Sequence, residues 1–380
     1  MTLDTRTLRI VTAVAAVLLV SSGYGVSLSV RALAFATGAM VLVPWLLGRR
    51  TLTLEPLTLL GVLAGLAGLV GGGGFSRLAL MSFLVILPAG LAAGSALVDS
   101  TGARLAASGA IAATQWIPIV AQHRNSQLIL ERLRLHPSGP GYGDSFLTHP
   151  GQLRPVGTTV SPGLVAFVLL VGIALASMPG PAGSSRPPAA ALWCLAAGHA
   201  YCLALTGSRT ALAALAILAA WSQVASGRWK PAVRAAAILA GGVTVLLVSE
   251  SSDRVTPRAR LEVIRAAMPT LREHWLLGIG WGNTPRYVAT AADGVVYHLH
   301  FLPLHLVFEL GVCGGIAFAL LALQLARRST LIVAVLAPFA LADAGIFINA
   351  TTIFFLGVII EMARQRQPVP APAGRAVAAI

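Results

Sequence analysis

SPGLVAFVLLVGIALASMP, from Ser161 to Pro179, holds 19 residues and no charged side chain. As an α-helix rising 1.5 Å per residue it reaches about 28 Å, close to the ~30 Å hydrocarbon core of a bilayer. Apolar runs of comparable character lie at approximately 10–27, 31–48, 56–73, 78–98, 105–121, 189–205, 210–225, 232–249, 302–326, 330–349 and 352–362. The 380 residues are 56% hydrophobic and 11% charged, whereas a soluble domain carries about 25% charge. Such a chain cannot cover itself with polar surface. The sequence predicts an all-α, polytopic membrane protein with about 12 transmembrane helices. The first run lacks a small-residue cleavage site before the next span and reads as an uncleaved first helix.

Placing the amino terminus in the cytoplasm puts Arg6, Arg9, Arg49, Arg50, Arg104, Arg186, Arg228, Lys230, Arg234, Arg327, Arg328, Arg364, Arg366 and Arg375 inside. The short outer connections then hold only Arg31, Arg77 and Arg209. That asymmetry follows the positive-inside rule for short loops. It accounts for most of the net charge of +14, so nucleic acid is not an expected partner. Two long loops, about 122–160 and 250–301, face outward. They hold His123, His136, His149, His274, His298 and His300, while His199 and His305 sit near the outer ends of their spans. Titratable groups therefore gather on the outer side, where a site is expected. Cys194, Cys202 and Cys313 all fall inside apolar runs and form neither a disulfide framework nor a metal-ligand spacing. The Pro/Ala-rich stretch QRQPVPAPAGRAVAAI after Arg364 reads as disordered. The organisation expected is one transmembrane domain, 1–365, and a cytoplasmic tail, 366–380.

Four outward segments carry polar groups in a suggestive order. In LRPVGTTVSPGLVAF, Leu153 to Phe167, a turn at Gly157 follows Arg154 and Pro155, and Ser161–Pro162 begins a helix. TGSRT, Thr206 to Thr210, is a tight turn whose Arg209 stands at a helix start. A helix amino terminus with a guanidinium suits phosphate, and an interfacial arginine reaching for lipid headgroups explains the residue equally well. PRARLEVIRAAMPTLREHWLLGIGWGN, Pro257 to Asn283, has Leu261, Ile264, Met268, Leu271 and Trp275 at helical spacing, flanked by Arg258, Arg265 and Arg272. It reads as a helix lying in the membrane interface, apolar face down and kinked at Pro269. Gly278, Gly280 and Gly282 follow no strand, so a nucleotide loop is rejected. In HLHFLPLHLVFELGVCGG, His298 to Gly315, Pro303 suits a first helical turn, and His305 and Glu309 share a helix face. No carboxylate stands at ligand spacing from His298 and His300, so no metal is expected there.

Taken together and in this order, the segments from about Arg154 to Ala322 resemble the O-antigen ligase and O-antigen polymerase superfamily. The ligase pattern is His, a polar residue such as Asn, nine residues, Gly, two residues and a small residue. Here it reads His300, Phe301, nine residues, Gly311, Val312, Cys313, Gly314, with Phe301 in the polar position. His298-x-His300 and the following Leu-Pro-Leu also look like the related protein O-oligosaccharyltransferases.

The resemblance implies a periplasmic active site in the bacterial inner membrane. There a glycan passes from undecaprenyl pyrophosphate to an acceptor hydroxyl, which in the ligase branch belongs to lipid A–core. It implies Arg209 and Arg260 as pyrophosphate ligands and His300 as general base. Arg154, Arg286 and His298 are further substrate contacts. No cofactor is implied. The connection Ser21 to Val30 contains no Asp or Glu and so lacks an acidic motif for a divalent ion, which makes metal independence the expectation. Polysaccharide polymerase and protein O-oligosaccharyltransferase remain open within the superfamily. A transporter or lipid flippase is the alternative from another class. Such proteins place ionisable groups near the bilayer midplane, where only Asp343 and Glu309 lie clearly within spans.

Overall fold

The structure is a computed structural model that describes residues 4–22, 38, 85–134, 147–149, 152–159, 161–177, 189–223, 255–280, 283–288, 299, 301–328, 335–340 and 350–364. It is mostly helical. The elements are α1 (Thr5–Ser21), α2 (Leu87–Val98), α3 (Thr101–Arg124), α4 (Gln127–Arg134), β1 (Leu147–His149), β2 (Gln152–Leu153), α5 (Pro162–Ser177), α6 (Ala189–Leu205), α7 (Arg209–Gln223), α8 (Val255–Glu273), α9 (Thr284–Tyr287), α10 (Leu302–Arg328) and α11 (Ala350–Arg364).

Helix starts follow capping chemistry. Asp4, Ser100, Ser161 and Ser208 each accept a hydrogen bond from a backbone N–H in the first turn of α1, α3, α5 and α7, at 3.3, 3.2, 3.1 and 3.4 Å. Each satisfies a donor that the helix itself leaves open.

The main core is built around α5, which is apolar on every face and buried from Pro162 to Ala176 except at Ala174. It packs against α3, α6, α7 and α11. The outward faces are apolar too: Ile117 is 76% exposed, Trp193 74% and Tyr201 60%. α2 and α11 run parallel in backbone contact. A Cβ on Gly90 would collide with the Phe354 carbonyl. One on Gly94 would lie 2.7 Å from the Val358 oxygen, and one on Gly357 2.7 Å from the Leu87 oxygen. Glycines four apart let helix backbones approach this closely, as in lipid-embedded helix pairs. Between α3, α5 and α6 lies a buried polar chain. Trp116 Nε1–H donates to His199 Nδ1 at 3.1 Å, which leaves Nε2 as the protonated nitrogen facing Ser108 Oγ at 3.1 Å. Ser108 in turn donates to the Gly172 carbonyl at 3.0 Å. Every member is satisfied, as burial requires.

The two ends of this bundle are chemically distinct. Arg6 donates to the Asp99 carbonyl at 3.0 Å, and Gly94 beside Val358 and Glu361 brings the Arg364 end of α11 to the same side. Ser21, Gln115, Gln122, the 154–159 segment and Thr206 meet at the other.

Three expectations need adjustment. The stretch expected as a long loop, 122–160, is not wholly irregular: it carries α4 and a small antiparallel hairpin, with Leu147 opposite Leu153 and His149 opposite Gln152. Among the described residues no helix is both long and apolar enough to cross a membrane. The short apolar helices α1, α2, α5, α6, α7 and α11 have 12 to 17 residues and so reach about 18–26 Å. The longer ones carry polar groups or, in α10, a break at Gly311. The runs 56–73 and 232–249, nearly all of 31–48, most of 330–349 and the tail 366–380 lie outside the described residues. Finally, α8 continues through Pro269, and it packs by Val263 and Ala267, with Leu271 partly buried against the same cluster. Leu261 and Trp275 from the expected stripe are exposed.

Candidate functional site

At the end of the bundle opposite Arg6 and Arg364, two glutamines seven apart on α3 seize the loop RPVGTT. Gln122 Oε1 accepts from the N–H groups of Val156 and Gly157 at 2.9 and 2.8 Å, and its Nε2 donates to the Gly157 carbonyl at 2.8 Å. Gln115 accepts from Thr158 N–H at 3.2 Å and donates to Thr158 Oγ1 at 2.6 Å and to the Ser21 carbonyl. Gly157 has φ +59°, and any Cβ there would strike Gln115 Oε1. The turn needs glycine on both counts.

The loop so held aims Arg154 at the next connection. Its Nε donates to the Thr206 carbonyl at 3.0 Å. Thr206 closes α6, with Oγ1 donating to the Leu203 carbonyl at 2.7 Å, and Gly207 at φ +58° reverses the chain. Ser208, buried, then caps α7, and Arg209 is its half-buried first residue. Arg154 and Arg209 thus belong to one locality with the α7 amino terminus, where partial positive charge collects.

A second locality surrounds a break in α10. Gly311 has φ +69° and ψ −175°, which interrupts the helical ladder. The freed backbone groups are taken up by the loop after α8. Ile279 N–H donates to the Phe308 carbonyl at 3.1 Å, Gly280 N–H to that of Glu309 at 2.9 Å, and Val312 N–H to that of Trp275 at 2.8 Å. Gly278, at φ +72°, and Gly311 interlock: a Cβ on the first would meet Glu309 backbone, and one on the second would meet the Leu276 carbonyl. Val263, Ala267, Ile279, Val288, Leu299 and Phe308 form a small core beneath.

Inside this core Glu309 is 1% exposed, and each of its carboxylate oxygens faces a polar group. Its Oε1 accepts from Thr284 Oγ1 at 2.6 Å and from Thr284 N–H at 3.4 Å. Its Oε2 lies 3.4 Å from His305 Nε2, and His305 Nδ1 accepts from Leu299 N–H at 3.4 Å. An Nδ1 that accepts leaves the neutral imidazole proton on Nε2, facing the carboxylate. Asn283, also buried, donates to the Ile279 carbonyl at 2.8 Å. Among the described residues no three His, Cys, Asp or Glu side chains converge as a metal-binding group.

The expected site residues divide accordingly. Arg154 and the turn before Arg209 are hydrogen-bonded. Arg286 is exposed on α9, two residues after Thr284, and Arg260 lies within α8. His298 and His300 lie outside the described residues, on either side of the buried Leu299. Sequence reasoning missed Gln115, Gln122 and Thr284. The glutamines carried a signal, since amides seven apart on one face of an apolar helix need buried partners. Thr284 carried none.

Residues 190–319 match the family described as O-antigen ligase. The match supports the O-antigen ligase superfamily. It covers about a third of the chain and takes in α6, α7, α8, α9 and most of α10, with the TGSRT turn and the Gly311 break inside it. No curated protein matches the sequence. The O-antigen ligase match supports a lipid-linked glycan transferase of the ligase and polymerase superfamily, whose members are in general bacterial inner-membrane proteins.

Proposed function

We propose that this protein moves a glycan from undecaprenyl pyrophosphate to an acceptor hydroxyl on the periplasmic face of the bacterial inner membrane, as an O-antigen ligase with lipid A–core as acceptor. One observation carries the reading: the O-antigen ligase match spans Arg209, Arg260, Arg286, His298 and His300, and Arg154 is hydrogen-bonded to the turn that precedes Arg209. Apolar outward faces on α3 and α6 favour a bilayer as the surroundings. The multi-pass topology, one transmembrane domain at 1–365 and a cytoplasmic tail belong to the same proposal.

In this reaction the acceptor oxygen bonds to the anomeric carbon of the donor sugar, the bond from that carbon to the pyrophosphate oxygen breaks, and the hydroxyl proton leaves. The donor is already activated, so the protein has two tasks. Arg209 and Arg260 hold the pyrophosphate, whose charge grows as it departs, and their planar guanidinium forks suit it. Arg154 and Arg286 add contacts to phosphate or sugar, with His298 nearby in sequence. His300 accepts the hydroxyl proton. Metal independence is proposed from the lack of acidic residues between Ser21 and Val30.

The test is transfer by the purified protein from a lipid-linked glycan offered lipid A–core, a second lipid-linked unit or a pilin-like peptide, with and without EDTA. Product on lipid A–core in EDTA is expected. Product only on the second unit makes the protein a polymerase, and product only on peptide a protein glycosyltransferase. No product with any acceptor overturns the proposal.

A further inference from the structure

We propose that Glu309 is a positioning residue. Through His305 it holds the backbone at Leu299 and hence the His298–His300 junction, and through Thr284 it holds the helix that carries Arg286. This rests on the reading of His300 as base and Arg286 as a substrate contact.

The argument is one of connectivity. Leu299 is fully buried, and its N–H donates to His305 Nδ1. That bond exists only while the proton sits on Nε2, and Nε2 faces Glu309 Oε2 at 3.4 Å. A carboxylate accepts on both oxygens and donates on neither, so it favours this tautomer and no other. The second oxygen takes Thr284 Oγ1–H at 2.6 Å and Thr284 N–H, at the first residue of α9. The backbone carbonyl of Glu309 also takes Gly280 N–H. One residue thereby ties α10 to the residue before His300, to the start of the helix bearing Arg286 and to the glycine loop after α8. His305 and Glu309 are 0% and 1% exposed, so their part is to orient and not to touch substrate.

Glu309→Gln separates this role from bulk. It keeps volume and one acceptor but, with that acceptor held by Thr284 N–H and Oγ1–H, turns an amide donor toward His305 Nε2–H, a clash that moving the imidazole proton to Nδ1 relieves. Leu299 N–H then loses its acceptor. The experiment measures amide exchange in the peptide spanning Leu299, together with kcat and donor KM, on wild type, Glu309→Gln, His305→Leu and the double variant. Expected are faster exchange at Leu299 and a kcat loss of roughly ten- to a hundredfold, the penalty of a misplaced reacting group. The double variant should be no worse than the poorer single one, because the two residues act in series. His305→Gln, which retains an acceptor and a donor, should recover part of the loss.

Unchanged exchange in Glu309→Gln, or losses that multiply in the double variant, would overturn the proposal. If Glu309→Gln does not fold, Thr284 decides: Thr284→Val should raise donor KM, and Thr284→Ser should restore it. Equal KM in both sinks the Thr284 arm. The exchange measurement needs no turnover, so a wild type that transfers nothing overturns the glycan-transfer reading by itself.

Discussion

Arg154 Nε donates to the carbonyl of Thr206 at 3.0 Å, across 52 residues of chain, and so couples the RPVGTT loop to the turn that presents Arg209. Two buried glutamines of α3 hold that loop in place. An arginine at residue 154 therefore has a structural task besides any contact with substrate.

Changing Arg154 to Ala should weaken donor binding by roughly ten- to a hundredfold, since a hydrogen bond from a charged donor contributes about 1.5–3 kcal/mol. Arg209→Lys and Arg260→Lys keep the charge but lose the fork, so their transfer rates should fall steeply in folded protein. Donor-lipid binding and transfer on the same purified variants check this. Full activity in both Lys variants would remove the bidentate clamp.

His300→Ala should lose about 10²–10⁴-fold in turnover, the usual contribution of base catalysis, while donor binding survives. His298→Ala should cost less. If His298→Ala is dead and His300→Ala transfers normally, the roles are exchanged by one alternation. If His300→Ala loses donor binding, the residue is a phosphate ligand.

Gly311→Ala forces a side chain into a glycine-only region of backbone space and into the Leu276 carbonyl. It should cost more than ~3 kcal/mol, and Gly278→Ala should do comparable damage from the facing side. Gly109→Ala, where a Cβ meets nothing within 4 Å, should be neutral or stabilising by up to about 1 kcal/mol. Thermal unfolding in detergent ranks the three; equal midpoints would refute the interlock.

Gly90→Leu should push α2 from α11, because the added side chain would occupy the place of the Phe354 backbone. A loss of at least about 1–3 kcal/mol is expected from overpacking. Cysteine crosslinking between the two helices should fall in proportion. Unaltered crosslinking would mean that the pair tolerates separation.

A reporter active only in the cytoplasm, fused after Gln365, should be active. The basic asymmetry of the short loops motivates this, and the Arg6 and Arg364 ends of α1 and α11 lie on one side of the bundle. An inactive reporter in a stable fusion would refute an even number of spans.

The helices were legible because their causes are local. The run 189–205 is α6 residue for residue, and Ser161 caps α5 as its place before Pro162 suggested. Apolar run length and capping residues both act within a few turns of chain, so their reading needs no partner. The resemblance to glycan transferases rested on the order of short motifs, and the O-antigen ligase match over 190–319 supports that superfamily.

Tertiary structure alone decided how the motifs engage one another. Gly311, Gly314 and Gly315 weaken the helix locally but do not say that it opens at Gly311. The reason is a second backbone: N–H groups of Ile279 and Gly280 arrive to satisfy the freed carbonyls, at a spacing only two facing glycines permit. The same holds for Thr284 on Glu309, 25 residues apart, and for Gln115 and Gln122 on the loop before α5. A buried polar group must find a partner, but the identity of that partner depends on where distant segments come to rest. Local sequence determined which stretches of this chain are helical and apolar. Long-range hydrogen bonding determined which of its polar residues meet.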